Sequence, residues 1–368
     1  MGLETLRRLD LPTLFLVGVL TALGVVMVYT ATGMFGENGP GLEDYAVRQT
    51  AFALMGLVLL GLATATEYRF LGSLSVALYA LTVLLLVLTF AVGLETHGAT
   101  RWIDLGLLQF QPSELAKVTT AVAIARYLSV NAQHIDRLGV YLKSVLVLLP
   151  IAAMVYLQPD LGTTLVLASI WFTQVFAAGV PTRYLAATAV ASVPMGVLAW
   201  FFLLKDYMRA RLLASINPEA DILGQGYNLI QARIAIGSGG LLGHGFTAAS
   251  QIQLGFLPVQ YADFIFAVVG AELGFVGVVL VVSLYFLLCT RLFALSQQAK
   301  DNFGRLLVAG VGGWIAFQAF VNMGMNLGLV PSTGIPLPFV SYGGSALISL
   351  MIAIGIVQSV MLRRERVR

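Results

Sequence analysis

Gln253 to Gly274 reads QLGFLPVQYADFIFAVVGAELG: a polar stretch ends in one acid, Asp263, and an apolar run begins immediately behind it. Even insertion-based scales charge ~2.5–3.5 kcal/mol for an Asp at helix mid-depth, so an ionisable group at the mouth of a membrane span marks a candidate functional site. Runs like the one behind Asp263 recur from end to end of the chain, and they decide the fold. Of 368 residues, 58% are hydrophobic and only 11% charged, about half the charged share of a soluble domain. The reading is an all-α polytopic membrane protein, a single integral membrane domain over residues 1–368.

A helix needs ~20 apolar residues to cross ~30 Å of hydrocarbon. Ten segments qualify, approximately 12–32, 48–66, 70–93, 112–130, 138–156, 161–179, 184–204, 263–290, 304–328 and 342–361. An even count puts both termini on one side. If that side is cytoplasmic, 14 of the 21 basic residues fall inside, Arg7, Arg8, Arg366 and Arg368 among them, as the positive-inside bias demands. The net charge of +3 and the pI near 9.0 are then mainly a signature of topology and point to no nucleic-acid partner. The acids divide the other way, with 12 of 18 in the outer half, including Glu114, Asp160, Asp263 and Glu272. The first apolar run, Leu14 to Tyr29 behind Arg7-Arg8, is too long for a cleaved signal peptide and reads as an uncleaved first span. The single cysteine, Cys289, excludes an intramolecular disulfide.

The one long connection, 205–262, lies on the outer side, and a loop of that length is expected to have its own structure. Within it, Tyr227 to Ile236 reads as a short amphipathic helix and Gly237 to Gly245 as a flexible turn; no Gly-Lys-Ser/Thr follows that would make it a phosphate loop. Glu219-Ala-Asp221 behind Pro218 reads as a turn cap. Residues 330–345, VPSTGIPLPFVSYGGS, combine three prolines with three glycines and cannot form regular helix. Non-helical backbone at membrane depth survives where it is buried in protein or lines a wet cavity, so this stretch, with Ser341, is expected to wall an outward site.

Glu114 and Lys117 share a helix face at i and i+3. They can pair with each other as a structural ion pair, or steer a catalytic group and hold a phosphate. Arg48, Arg101 and Arg211 are outer-half cations whose planar forks suit pyrophosphate, against the alternative of surface snorkelling. Asp160 suits either a helix cap or a site. Glu272 lies nine residues past Asp263, on roughly the opposite side of the same helix, and is expected to pair within the bundle, while Gly270, Gly274 and Gly277 mark a close helix contact. The histidines at 97, 134 and 244 are scattered too widely for a metal site.

Arg101-Trp-Ile-Asp-Leu-Gly106, Phe110-Gln-Pro-Ser-Glu-Leu-Ala-Lys117, Gln158-Pro-Asp-Leu-Gly162, the stretch Phe256 to Gly274 and Gly334-Ile-Pro-Leu-Pro-Phe-Val-Ser-Tyr-Gly-Gly344 together resemble the SEDS family of bacterial cell-wall polymerases. Gln158 and Val340 resemble the elongation branch more than the division branch. The resemblance implies a peptidoglycan glycosyltransferase that polymerises lipid II on the outer face of the cytoplasmic membrane. In that reading Asp263 matches the family's essential aspartate and serves as base for an inverting sugar transfer. Glu114 and Lys117 fall on family positions that matter for activity. The implied partners are lipid II, the growing glycan chain, a class B penicillin-binding protein and the MreB-linked elongation complex. No cofactor is evident, although a divalent cation such as Mg or Mn bridging carboxylate and pyrophosphate would leave no histidine signature. The chain departs from the family pattern Pro-Glu-x-His-Thr-Asp-Phe at Val259, Tyr261 and Ala262, and Ala271 stands where an acid is usual. The competing reading is a flippase for a lipid-linked precursor; a pure scaffold leaves the cost of Asp263 and Lys117 unexplained.

Overall fold

The structure, a computed structural model, describes residues 8–32, 44–96, 99–104, 106, 109–221, 224–254, 256–257 and 259–364. Glu4, Arg7, His97, Glu365, Arg366 and Arg368, and Leu105, Gly255 and Pro258 of the motifs quoted above, lie outside these residues.

Helices occupy all ten predicted segments: α1 Leu11–Ala31, α2 Tyr45–Ala65, then, after the short α3 Tyr68–Ser73, α4 Ser75–Val92, α5 Pro112–Val130, α6 Leu138–Leu157, α7 Leu161–Ala177 and α8 Thr182–Phe202. The long connection contributes α9 Asp206–Ile216, α10 Gln225–Ser238 and α11 Ser250–Gln253, and α12 Ile265–Gln297, α13 Asn302–Leu327 and α14 Gly344–Leu362 complete the bundle. Eight of these helices are long and apolar enough to cross a membrane: α1, α2, α4, α6, α8, α12, α13 and α14. The sequence count of ten is larger by two. Helix α7 has only 17 residues, and α5 carries Glu114, Lys117 and Arg126 and buries most of its side chains in protein.

The caps follow from residue chemistry. Asp10, Asp44, Asp160 and Asp301 each accept a backbone N–H from the first turn of the helix they start, satisfying donors that the helix itself leaves free. Pro112 opens α5, where its missing N–H costs nothing. Gly328 ends α13 in the left-handed conformation that residues with a side chain resist.

Helix α13 is the centre of the bundle, with α5, α7 and α12 packed around it and α14 packed chiefly on α2. Helix α8 stands apart, and none of its residues is buried. One end of the bundle gathers Asp10, Arg291, Asp301 and Gln358; Asp10 N–H donates to the Gln358 side-chain oxygen, and the Gln358 side-chain N–H donates back to Asp10 O. The other end carries Asp263 and residues 330–343.

Two features depart from the sequence reading. Residues between α4 and α5 form a three-stranded antiparallel sheet of β1 Leu94–Thr96, β2 Ala99–Asp104 and β3 Gln109–Phe110. The alternating Thr100, Trp102 and polar neighbours suit strands, but the segments are too short to stand out between membrane runs. The second departure is in α12, whose backbone breaks at Gly274, where φ is 65°. The 263–290 segment is therefore two helical pieces, and Gly239 to Phe246 is no free turn: it docks into the break. There, His244 N–H donates to Ala271 O, Gly245 N–H to Glu272 O, Phe275 N–H to Gly240 O and Val276 N–H to Leu241 O, at 2.9–3.1 Å. Gly270 lies so close to Ile236 of α10 that an added methyl group would collide with it, the close contact its spacing suggested.

Candidate functional site

Asp263 sits in the turn that feeds α12. Its backbone is fixed from below: Asn322 and Asn326, one turn apart on α13, each donate a side-chain N–H to Asp263 O at 3.1 Å. Asn322 also donates to Ile335 O at 2.8 Å, so one amide joins the Asp263 turn to the 330–343 segment. Ser341 adds a second tie, donating to Ala262 O at 2.7 Å while accepting from Leu337 N–H at 2.8 Å. A third tie is backbone, from Tyr342 N–H to Tyr261 O at 2.9 Å. Sequence reading chose Ser341 from its loop and missed both asparagines, whose i and i+4 spacing on an apolar helix was the available signal.

With the backbone held this firmly, the carboxylate itself accepts no hydrogen bond from any described residue. Burial pushes the Asp263 carboxyl above its usual range, Arg211 and then Arg101 pull it back, and Asp160 adds to the rise. Arg211 comes from α9 and likewise donates no hydrogen bond among the described residues; its Nε is buried and unpartnered, with Tyr207 on one flank. Gly334, at φ 69°, lies beside both acid and guanidinium. A methyl group there would stand 3.6 Å from Nη1 of Arg211 and 3.7 Å from Oδ2 of Asp263. The two charged groups thus flank one bare piece of backbone.

Arg211 faces a cleft lined also by Arg101, Asp160, Tyr207, Ser332 and Thr333. Arg101 is engaged: Nε donates to Gln158 O at 2.9 Å and the terminal nitrogen to Pro159 O. Asp160 is engaged too, as cap of α7, accepting from Thr163 N–H at 3.0 Å and Thr163 Oγ1 at 2.9 Å. Tyr207 donates to Pro159 O at 2.9 Å, which closes the cleft wall, and its hydroxyl is held above the usual range chiefly by burial. Thr333 Oγ1 is buried without a partner.

The remaining predicted residues lie outside this cleft. Lys117 Nζ meets Glu114 Oε2 at 2.6 Å, and both side chains are sealed from solvent. Lys117 also stands 5.1 Å over the Trp314 ring. Trp314 donates to Gln318, which donates to Pro336 O, so the pair supports the 330–343 wall from within the bundle. Arg48 is exposed near the start of α2 and donates to the Tyr342 hydroxyl. Beside it Tyr45, Tyr261 and Tyr342 form an aromatic cluster, with Tyr45 stacked on Tyr261 at 4.4 Å and edge-on to Tyr342 at 5.0 Å. Tyr261 was noted in the sequence only as a departure. Glu272 is buried and accepts from Thr247 N–H at 3.2 Å, with its second oxygen unpartnered. Among the described residues no cluster of three or more His, Cys, Asp or Glu side chains could hold a metal ion.

Comparisons with known proteins give one answer. The FtsW/RodA/SpoVE cell cycle protein family matches over residues 11–366. The peptidoglycan glycosyltransferase MrdB of Escherichia coli K12 is 38% identical over 358 residues, covering 96% of this chain and 94% of that protein. The probable peptidoglycan glycosyltransferase FtsW of Geobacter metallireducens is 35% identical, covering 99% of this chain and 98% of its own length. Among solved structures, a chain of a peptidoglycan synthase complex that coordinates polymerization and crosslinking matches at 38% identity with a TM-score of 0.83, covering 97% of this chain and 99% of that one. The rod shape determining protein RodA of Thermus thermophilus matches at 34% identity and a TM-score of 0.72, covering 97% of each chain.

Proposed function

Because the chain belongs to the FtsW/RodA/SpoVE family and is a multi-pass membrane peptidoglycan glycosyltransferase, we propose that it polymerises lipid II at the Asp263 end of the bundle during cell elongation. In this reading ten segments cross the bilayer, both termini are cytoplasmic and Asp263 faces outward, as the distribution of basic residues favours. The observation that carries the reading is the pair of unsatisfied charges beside Gly334. Asp263 has a fixed backbone and a free carboxylate, and the free guanidinium of Arg211 borders the same glycine.

Asp263 takes the proton from the 4-hydroxyl of the acceptor sugar. The freed oxygen attacks the anomeric carbon of the donor with inversion, and the bond to pyrophosphate breaks, so the polyprenyl pyrophosphate leaves with the electron pair. A positioned base of this kind contributes ~10²–10⁴ in rate. Burial suits the role, since a carboxyl held above its usual range is a stronger base than one saturated by hydrogen bonds. Arg211 offers its donors to the departing pyrophosphate, and Thr333 adds a hydroxyl. Arg101 is committed to the carbonyls of Gln158 and Pro159, so it fixes the wall and adds its field. Arg48, exposed beside Tyr342, meets the ligand at the rim, Asp160 holds the cap of α7, and Ser341 holds the Asp263 turn. Glu114 and Lys117 act through the wall that they brace. A divalent cation fits this donor set poorly, because Asp160 is engaged by Thr163 and Asp263 is left as the single free carboxylate; no step runs through one. A class B penicillin-binding protein and the MreB-linked complex are the proposed partners.

The test is to incubate the purified protein with labelled lipid II and resolve the products. Glycan ladders from the wild type and none from Asp263→Ala support the reading. Equal ladders from both contradict it, and no ladders together with transfer of labelled lipid across liposomes favour the flippase.

A further inference from the structure

Helix α12 is 33 residues long, about 50 Å at ~1.5 Å per residue, against ~30 Å of hydrocarbon. Its two pieces are used differently. Every residue from Ile265 to Glu272 is buried in protein, whereas Phe275, Val276, Val279, Leu280 and Phe286 are exposed apolar side chains beginning at the break. The piece from Phe275 to Gln297 spans about 34 Å by itself, which matches the hydrocarbon thickness. The change from buried to exposed apolar side chains at Phe275 is where the edge of a bilayer would fall.

Gly239 to Phe246 is bonded to that level, with Gly240 O receiving Phe275 N–H and Leu241 O receiving Val276 N–H. At this height the loop exposes Leu241 at 72%, Leu242 at 79% and Phe246 at 53%. No Asp, Glu, Lys or Arg occurs anywhere between Arg233 and Asp263. Three exposed apolar side chains in a charge-free stretch, continuous with the lipid-facing side of α12, are costly in water and favourable in a membrane margin.

We propose that the Gly239–Phe246 loop is a membrane-interface anchor whose Leu241, Leu242 and Phe246 side chains insert into the outer edge of the hydrocarbon. Through its bonds to Ala271, Glu272, Phe275 and Val276, the anchor fixes how far the 265–273 piece, and Asp263 at its head, stands above the lipid surface. The occupant is lipid. This placement does not depend on Asp263 being a base.

The test uses the full chain in nanodiscs on a Cys289→Ser background, with an environment-sensitive fluorophore attached in Leu242→Cys and, separately, in Glu219→Cys, an exposed control on the same connection. The expected result for position 242 is blue-shifted emission, quenching by lipids spin-labelled near the headgroup that exceeds quenching by lipids labelled at mid-chain, and weak quenching by aqueous iodide. Position 219 should show the reverse, with iodide dominant. Iodide access at 242 equal to that at 219 would overturn the proposal, and so would protection of 242 from both lipid and aqueous quenchers, which would mean that protein covers the loop. Leu241→Cys, labelled in the same way, separates a local labelling artefact from a property of the loop.

Discussion

Aspartates lie at both ends of this bundle, each beside the start of a helix, and the two ends treat them in opposite ways. Asp10 receives Thr13 N–H, the Thr13 hydroxyl and Arg291. Asp301 receives Gly304 N–H at 2.8 Å, the Tyr68 hydroxyl at 2.7 Å and Arg69 at 2.9 Å. Burial would raise both carboxyls, but these partners outweigh it and hold both below the usual range. Asp263 is the inverse case. Its neighbours bind its carbonyl and leave its carboxylate bare, and its pKa shifts upward through burial. An acid with both carboxylate oxygens engaged ties elements together, whereas one with a fixed backbone and a free carboxylate is poised for a substrate.

The largest break in this comparison comes from removing the charge at the bare end. Asp263→Asn should lower glycan polymerisation by ~10²–10⁴ at unchanged yield and melting temperature, read as ladder formation from labelled lipid II. Arg211→Ala should cost ~10²–10³ in turnover by removing donors from the leaving pyrophosphate, again without loss of folded protein. Substituting only one of the sealed pair should act on stability: Lys117→Met leaves Glu114 buried and alone, at a cost of ~3–5 kcal/mol, and should be detected as reduced yield and earlier thermal unfolding. The smallest effect belongs to the saturated end. Asp301→Asn should leave turnover intact and lower the melting temperature near neutral pH. Because the folded pKa of Asp301 is depressed, its stabilisation is complete above the unfolded value of 3.8 and is lost as pH falls through the lower folded value. The gap between variant and wild type should therefore close in acid.

Much of this contrast was legible in the chain. Long apolar runs located every major helix, and Asp263 stood out because a charge beside a span is expensive. Three things were hidden. The break at Gly274 was obscured because the apolar run continues across it, and only the non-local pairing with Gly240 and Leu241 makes the two pieces distinct. The sheet between α4 and α5 was too short to register. Partner choice was hidden as well: Arg48, Arg101 and Arg211 look alike in the sequence, yet Arg101 is bound to Gln158 and Pro159, Arg48 faces Tyr342, and Arg211 keeps its donors free. Which guanidinium remains available depends on carbonyls and hydroxyls brought from other parts of the chain.

The most direct test of Asp263 as an unsaturated base is the pH dependence of lipid II polymerisation by the wild type and Arg211→Gln. The account predicts that the wild-type rate falls on the acid side with a midpoint above 3.8, the ordinary value for this carboxyl, since the base must lose its proton to act. In Arg211→Gln the residual rate should fall at still higher pH, because the cation that lowers the carboxyl's pKa is gone. An acid limb at the same pH in both proteins, or none in either, would contradict it.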